Sequence, residues 1–417
     1  MQSPERRAIR ECQMTDTTTF DVAVVGGGPA GATAANDLAR LGHRVLLLDR
    51  AGRIKPCGGA IPPRLIEEFE IPDELLVARI SSARMVSPAD KSVDMPINGG
   101  FVGMVDRDVF DEWLRERAVR SGAERCTGIF REFKRDPDGT AVLRFEWRDA
   151  AGALQTTSIR ARAVIGADGA LSSVGRQAIP GAENIRYVFA YHEIVRSPEH
   201  GQTSFDGTRC DVIYRGRLSP DFYSWIFPHG ATTSVGTGSA CKGFSLRGSV
   251  GELRQAIGLG EAPTLRREGA PIPLEPLKRW DNARDVVLAG DAAGVVAPAS
   301  GEGIYYAMAS GRIVAEAVDQ FLRSGDARKL ATARKRFMRL HGGVFWILGL
   351  MQRYWYASDG RRERFVAICR DRDVQQLTWD AYMNKALVRA RPWSHVRIFF
   401  KNIAHLTGLA RMKDVVR

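Results

Sequence analysis

Cysteines at paired spacings are missing from this chain. The six that occur, at positions 12, 57, 126, 210, 241 and 369, are scattered without a metal-site or disulfide spacing, which argues against a disulfide framework or a zinc site and fits a reducing compartment. Long apolar runs are missing too. The run Val344–Met351 is eight residues, far below the ~20 that span a bilayer. No apolar stretch follows the Arg6–Arg7 pair, so it is not an export signal. Acidic residues are scarce towards the end: from His341 onward there are 14 Lys/Arg against 6 Asp/Glu, within a chain of formal charge +12. Such an excess suits a nucleic acid, an anionic membrane or an acidic substrate. No nucleic-acid motif accompanies it, which leaves a membrane surface, a diphosphate or a plain solvated basic face. Length implies two or three domains. Residues 1–19 read as a polar leader, without structure over 1–13 and with Met14 as an alternative start.

What is present begins at residue 20. "FDVAVVGGGPAGATAANDLARLGHRVLLLD" is a complete strand, turn, helix and strand, with Gly26, Gly28 and Gly31 as GxGxxG and Asp49 ending the second strand, 23 residues after Gly26. The glycines permit a tight turn, backbone approach to a pyrophosphate and close helix packing, and the carboxylate suits a ribose hydroxyl. Two later segments have the same character. "VIGADGALSSVGR" (164–176) runs from a strand into Asp168–Gly169, and "DVVLAGDAAGVVAPASGEGIYYAMASGRIVAEAV" (285–318) runs through Gly290–Asp291 and a Gly-rich loop into a long helix. A turn plus a helix cap explains either Asp alone, but not three dinucleotide-type turns in one chain.

These three motifs, in this order, resemble the FAD-binding superfamily built like p-hydroxybenzoate hydroxylase. The resemblance implies an α/β fold: a Rossmann-like FAD-binding domain (20–80, 101–180 and 280–330), an interleaved antiparallel β-sheet substrate domain (81–100 and 181–279) and a helical C-terminal region (331–417) that faces a membrane. It implies FAD contacts from Gly26, Gly28, Ala30, Gly31, Asp49, Arg50, Cys57, Gly58, Gly59, Arg107, Asp168, Gly169, Gly290, Asp291, Pro298, Gly301, Gly303 and Ile304. Arg107 in "VDRDVFDEWL" fits the arginine that such proteins place before a helix. One departure is that Gly175 stands where an arginine usually follows "DGxxSxV", with Arg176 one place late.

The insert carries the branch. Segments 82–87 and 92–97 read as a hairpin around "PADK", and 186–196, 209–218, 222–228 and 232–239 read as strands. In "FYSWIFPHGATTSVGTG" (222–238), Tyr223, Trp225 and Phe227 alternate, so a strand points all three to one face. By itself this reads as an aromatic core ridge. Together with "KPCGG" (55–59), "YxWxFP" resembles the signature of the geranylgeranyl reductase family, here the (bacterio)chlorophyll-synthesis branch, with His229 where many relatives have Lys. The resemblance covers roughly residues 20–400. It implies reduction of the three isolated double bonds of a geranylgeranyl group to phytyl, on geranylgeranyl-(bacterio)chlorophyll or geranylgeranyl diphosphate, with electrons from NADPH or reduced ferredoxin. It also implies a cytoplasmic enzyme at a photosynthetic or inner membrane, with a (bacterio)chlorophyll synthase as partner. No metal and no nucleic acid are expected.

An isolated trisubstituted alkene is not electrophilic, so hydride transfer requires a proton delivered with it, and cationic character on carbon calls for a dry, aromatic site. Tyr223, Trp225 and Phe227 suit that lining, with Lys55 for an anionic group or as a loop cap. Cys57 and His229 are the proton-donor candidates, and Tyr223 a relay; Cys57 also reads as a small buried filler. In the tail, 344–356 suits core packing and 391–413 a membrane or partner contact. Two rival functions share the flavin motifs or the fold: a flavin monooxygenase and a non-catalytic prenyl carrier.

Overall fold

The computed structural model describes residues 18–50, 54–198 and 205–385; residues 1–17 of the leader and the 391–413 segment lie outside them, and Thr19, read as the leader's last residue, opens the first strand. Strand Thr19–Val25 is buried along its last four residues, as expected of a strand covered on both faces. It lies between two parallel neighbours, Val45–Asp49 (Val22 opposite Val45) and Leu154–Gly166 (Val25 opposite Gly166). Glu124–Thr127 extends this sheet beyond Val45–Asp49, and Val286–Leu288 pairs with the end of Leu154–Gly166, both in parallel. The first half of Leu154–Gly166 instead carries an antiparallel ribbon, Ala141–Arg148 and Ile129–Arg135. The carboxyl ends of the parallel strands therefore meet along one edge, where open α/β sheets bind ligands.

Two helices cross tightly at that edge. Pro29–Arg40 follows the first strand, and Ile304–Ser324 runs beside it. A Cβ on Gly31 would lie 1.8 Å from the Gly26 carbonyl oxygen, and one on Gly311 would lie 2.3 Å from that of Ala30. Only glycine permits either approach.

The second sheet has seven strands in the order Thr264–Pro273, Tyr187–Arg196, Thr232–Ser239, Ser224–His229, Arg209–Ile213, Ser82–Val86 and Ser92–Pro96. All its pairs are antiparallel except Arg209–Ile213 with Ser82–Val86. The hairpin around "PADK" forms. The strand expected over 209–218 stops at Ile213, before a turn through Gly216. Thr264–Pro273 was not anticipated: its first six residues, TLRREG, alternate between partly buried and exposed, with no apolar run to mark a strand.

Helices Ala331–Trp355, Asp359–Ile368 and Arg372–Asn384 complete the described chain. The last two pack on the free edge of the second sheet. The Glu363 carboxylate accepts from the Ala89 amide at 3.1 Å, and Gln375 Nε2 donates to the Asp94 carbonyl at 3.3 Å. Among the described residues no helix is long and apolar enough to cross a membrane.

Candidate active site

Two cavities adjoin at the sheet edge. One, about 370 Å³, lies over the strand ends between Gly26–Gly28, Asp49–Arg50 and Asp168–Gly169. The other, about 350 Å³, lies between the two sheets, and both are lined by Gly28, Lys55, Arg107, Ala167, Gly169 and Asp291. A Cβ on Gly28 or Gly169 would meet nothing within 4 Å, so the backbone is bare where a ligand would approach. Gly28 also opens helix Pro29–Arg40 in extended conformation, which aims the first helical amides outward. Glycine cradles, a helix N-terminus and a carboxylate at the second strand's end form the donor set that an FAD pyrophosphate and ribose require. The residues fit the cofactor.

Several residues read from sequence as ligand contacts line the cavities and also have protein partners. Asp168 is partly buried and caps the short helix Ser173–Ala178, accepting from Ser172 Oγ at 2.5 Å and from the Ser173 and Val174 amides at 2.6 and 3.2 Å. Burial raises its pKa, against the pull of those hydrogen bonds. Asp49 lines the first cavity but pairs with Arg115 at 3.2 Å. Arg115, which the sequence reading missed, also donates to the Gly27 carbonyl at 3.2 Å. Arg107 is buried with a two-pronged ion pair to Asp111, 2.8 Å at each contact. Burial opposes its charge, but Asp111 and then the neighbouring Cys57 outweigh that and raise its pKa. Lys55 forms an ion pair with Asp291, joining the first loop to the last. Gly31 and Pro298 are buried and are not among the residues lining either cavity, whereas Ala30, Gly290, Gly301, Gly303 and Ile304 line the second.

The two segments singled out in sequence, 55–59 and 223–229, form one wall. A Cβ on Gly58 would meet the Phe227 ring at 2.8 Å, and one on Gly59, at φ +71°, would meet His229 Cε1 at 2.5 Å. His229 bridges Asp106 (Nδ1 to Oδ1, 2.8 Å) and the Gly58 carbonyl (3.1 Å from Nε2). Its ring is not among the residues lining either cavity, so it is placed as a support of the loop and not as the proton donor first considered. Cys57 lines the second cavity, and its sulfur accepts from the Gly59 amide at 3.4 Å.

Tyr223, Trp225 and Phe227 all line the second cavity, as their alternation implied. Trp225 stands 6.0 Å from the Tyr223 ring and 6.2 Å from that of Phe227. The Tyr223 hydroxyl donates to the Ser300 carbonyl at 2.5 Å, and burial raises its pKa. It therefore anchors the Gly-rich loop and is a poor proton relay. The rest of the lining was not legible in sequence: Met351, Tyr356, Phe365, Trp379 and Tyr382 come from the C-terminal helices. Tyr214 also lines this cavity, and burial raises the pKa of Tyr214, Tyr356 and Tyr382. Glu302 of the Gly-rich loop meets Lys385 at 3.0 Å, both side chains almost wholly buried, and ties that loop to the last described helix. Among the described residues no group of His, Cys, Asp and Glu is arranged to hold a metal.

A nucleotide cleft on a Rossmann-like sheet, opening into an aromatic chamber under a second sheet, defines a flavin-dependent oxidoreductase. Residues 19–188 match the FAD binding domain family, and 240–402 match the lycopene cyclase protein family. The chain is 57% identical to the geranylgeranyl diphosphate reductase of Rhodobacter capsulatus, over 94% of this chain and 98% of that one. It is 34% identical to the chloroplastic geranylgeranyl diphosphate reductase of Oryza sativa, over 99% and 92%. A geranylgeranyl bacteriochlorophyll reductase-like protein of Thermoplasma acidophilum has the same fold, with a TM-score of 0.76 at 22% identity over 91% of this chain and all of that one. The chain belongs to the geranylgeranyl diphosphate reductase family.

Proposed function

We propose that this chain reduces the isolated double bonds of a geranylgeranyl group, esterified to a (bacterio)chlorophyll or free as the diphosphate, with FAD as the bound cofactor. The observation that carries this reading is the joint wall that Cys57–Gly59 and Tyr223, Trp225 and Phe227 give to the aromatic chamber, which adjoins the nucleotide cleft. When bound, FAD supplies the hydride. NADPH is the proposed electron source and reduced ferredoxin the alternative; the sequence holds one GxGxxG.

The chain's own groups do the rest. Gly28 and Gly169 leave room for the nucleotide, and Asp49, Arg50 and Arg107 border it. The aromatic lining excludes water and faces the carbon that gains positive character, which ring quadrupoles stabilise. Cys57 is the proposed proton donor, at its thiol or through a held water, because its thiol lines the chamber, whereas the Lys55 ammonium and the Tyr223 hydroxyl are held by Asp291 and the Ser300 carbonyl. His229 and Tyr223 position the loops on either side of it. A lipid-tailed substrate places the enzyme at a membrane surface, within reach of a (bacterio)chlorophyll synthase.

The test is product mass. With reduced FAD, the prenyl chain should gain two hydrogens per double bond, from whichever of the two substrate forms is accepted. Cys57→Ala should retain FAD and lose about 10²–10⁴-fold in rate, the usual share of a general acid. Oxygen incorporated into the product would instead establish a monooxygenase.

A further inference from the structure

The helix Ala331–Trp355 has an unusual outer side. Trp346 is 70% exposed, Leu350 55% and Leu340 54%, and helical spacing places them on one outward arc, with exposed Gly343 between them. Around this patch the helix carries Lys335, Arg336, Arg339 and Arg353, and its 25 residues contain no carboxylate. Arg336 pairs with Glu316, and Arg353 approaches Glu275 at 3.6 Å. Lys335 and Arg339 are exposed and make no ion pair among the described residues. The inner side of the same helix gives Leu348 and Met351 to the wall of the aromatic chamber.

We propose that this face docks the enzyme on an anionic lipid surface, with Trp346 and Leu350 inserted at the headgroup boundary and the basic ends of the helix on lipid phosphates. An exposed tryptophan beside aliphatic side chains, flanked by cations, matches the chemistry of an interfacial helix. A second copy of the chain is a poorer occupant, because a two-fold contact would bring like charges together. The inference rests on the prenyl reading above and deepens it: docked this way, the chamber lies about one helix diameter, ~10 Å, below the membrane surface, so a lipid-dissolved prenyl chain has a short route into it.

The full chain, loaded with FAD, would be floated with vesicles of phosphatidylcholine alone and of phosphatidylcholine mixed with phosphatidylglycerol. Binding is expected to the mixed vesicles, to fall with salt, and to weaken about fivefold for each of Lys335→Glu and Arg339→Glu. The double variant Trp346→Ser/Leu350→Ser should weaken it at least tenfold. Its flavin spectrum and its turnover of detergent-dispersed substrate should match the parent. Unchanged vesicle binding in that variant would overturn the proposal. So would a fall in its solution mass from dimer to monomer, which would assign the face to a second copy. Failure of the prenyl reading would show separately, as loss of turnover in detergent by the parent chain.

Discussion

His341 gives the structure an acid-sensitive point whose size follows from its surroundings. The ring lies in helix Ala331–Trp355, 5% exposed, against the rings of Phe337, Tyr306 and Tyr305 at 4.9, 5.3 and 5.9 Å. Its Nδ1 has no hydrogen-bond partner. Burial, and then the nearby Arg64, bring its pKa down to about 4 from 6.5, while Glu68 and a backbone hydrogen bond to Lys385 pull the other way. The folded protein therefore holds the neutral ring, and the unfolded chain binds the proton first. The stabilisation is complete above pH 6.5 and is lost as pH falls through 4. At about 1.4 kcal/mol per pH unit, the loss across that window is roughly 3 kcal/mol. His341→Leu removes the titration and keeps the apolar contacts. Urea unfolding of parent and variant at pH 7, 5.5 and 4 isolates the effect, since other carboxyls titrate equally in both. The parent should lose about 3 kcal/mol more than the variant between pH 7 and 4. Parallel losses would show that His341 is not held neutral.

Two further perturbations test the joints around the site. Lys385→Met leaves the Glu302 carboxylate buried without its counter-ion and should cost about 3–5 kcal/mol, most of it recovered in Lys385→Met/Glu302→Gln; a loss below 1 kcal/mol in denaturant unfolding would show the pair to be slack. Gly311→Ala places a methyl 2.3 Å from the Ala30 carbonyl oxygen, forcing the two helices apart. It should reduce retained FAD, read from the flavin absorbance per protein, and lower stability by about 1–3 kcal/mol.

The nucleotide cleft was legible because its signals are local. GxGxxG, the strand periods on either side and Asp49 all fall within thirty residues, and the fold reproduces that unit. The aromatic row 223–227 was legible for the same reason, since alternation alone points it to one face. The tether on His229 was not legible because Asp106, which holds its ring, is 123 residues away. The helix cap made by Asp168 was not legible because a carboxylate at a strand end reads alike whether it faces a ribose or caps the next helix. The chamber's far wall was invisible: Phe365, Trp379 and Tyr382 sit among charged residues in helices whose packing on the second sheet no spacing reveals. The strand Thr264–Pro273 was hidden by its adjacent arginines, which lie on opposite faces and are held by ion pairs, Arg266 with Asp108 and Glu268 and Arg267 with Glu193.

The most direct test of flavin-dependent prenyl reduction is the flavin spectrum in the absence of oxygen. The FAD-loaded chain is reduced until its absorbance bleaches, and a geranylgeranyl substrate is then added anaerobically. Return of the oxidised flavin band, with two hydrogens gained by the prenyl chain per cofactor reoxidised, is the expected result. A band that stays bleached with either substrate form and returns only when oxygen is admitted would contradict the account.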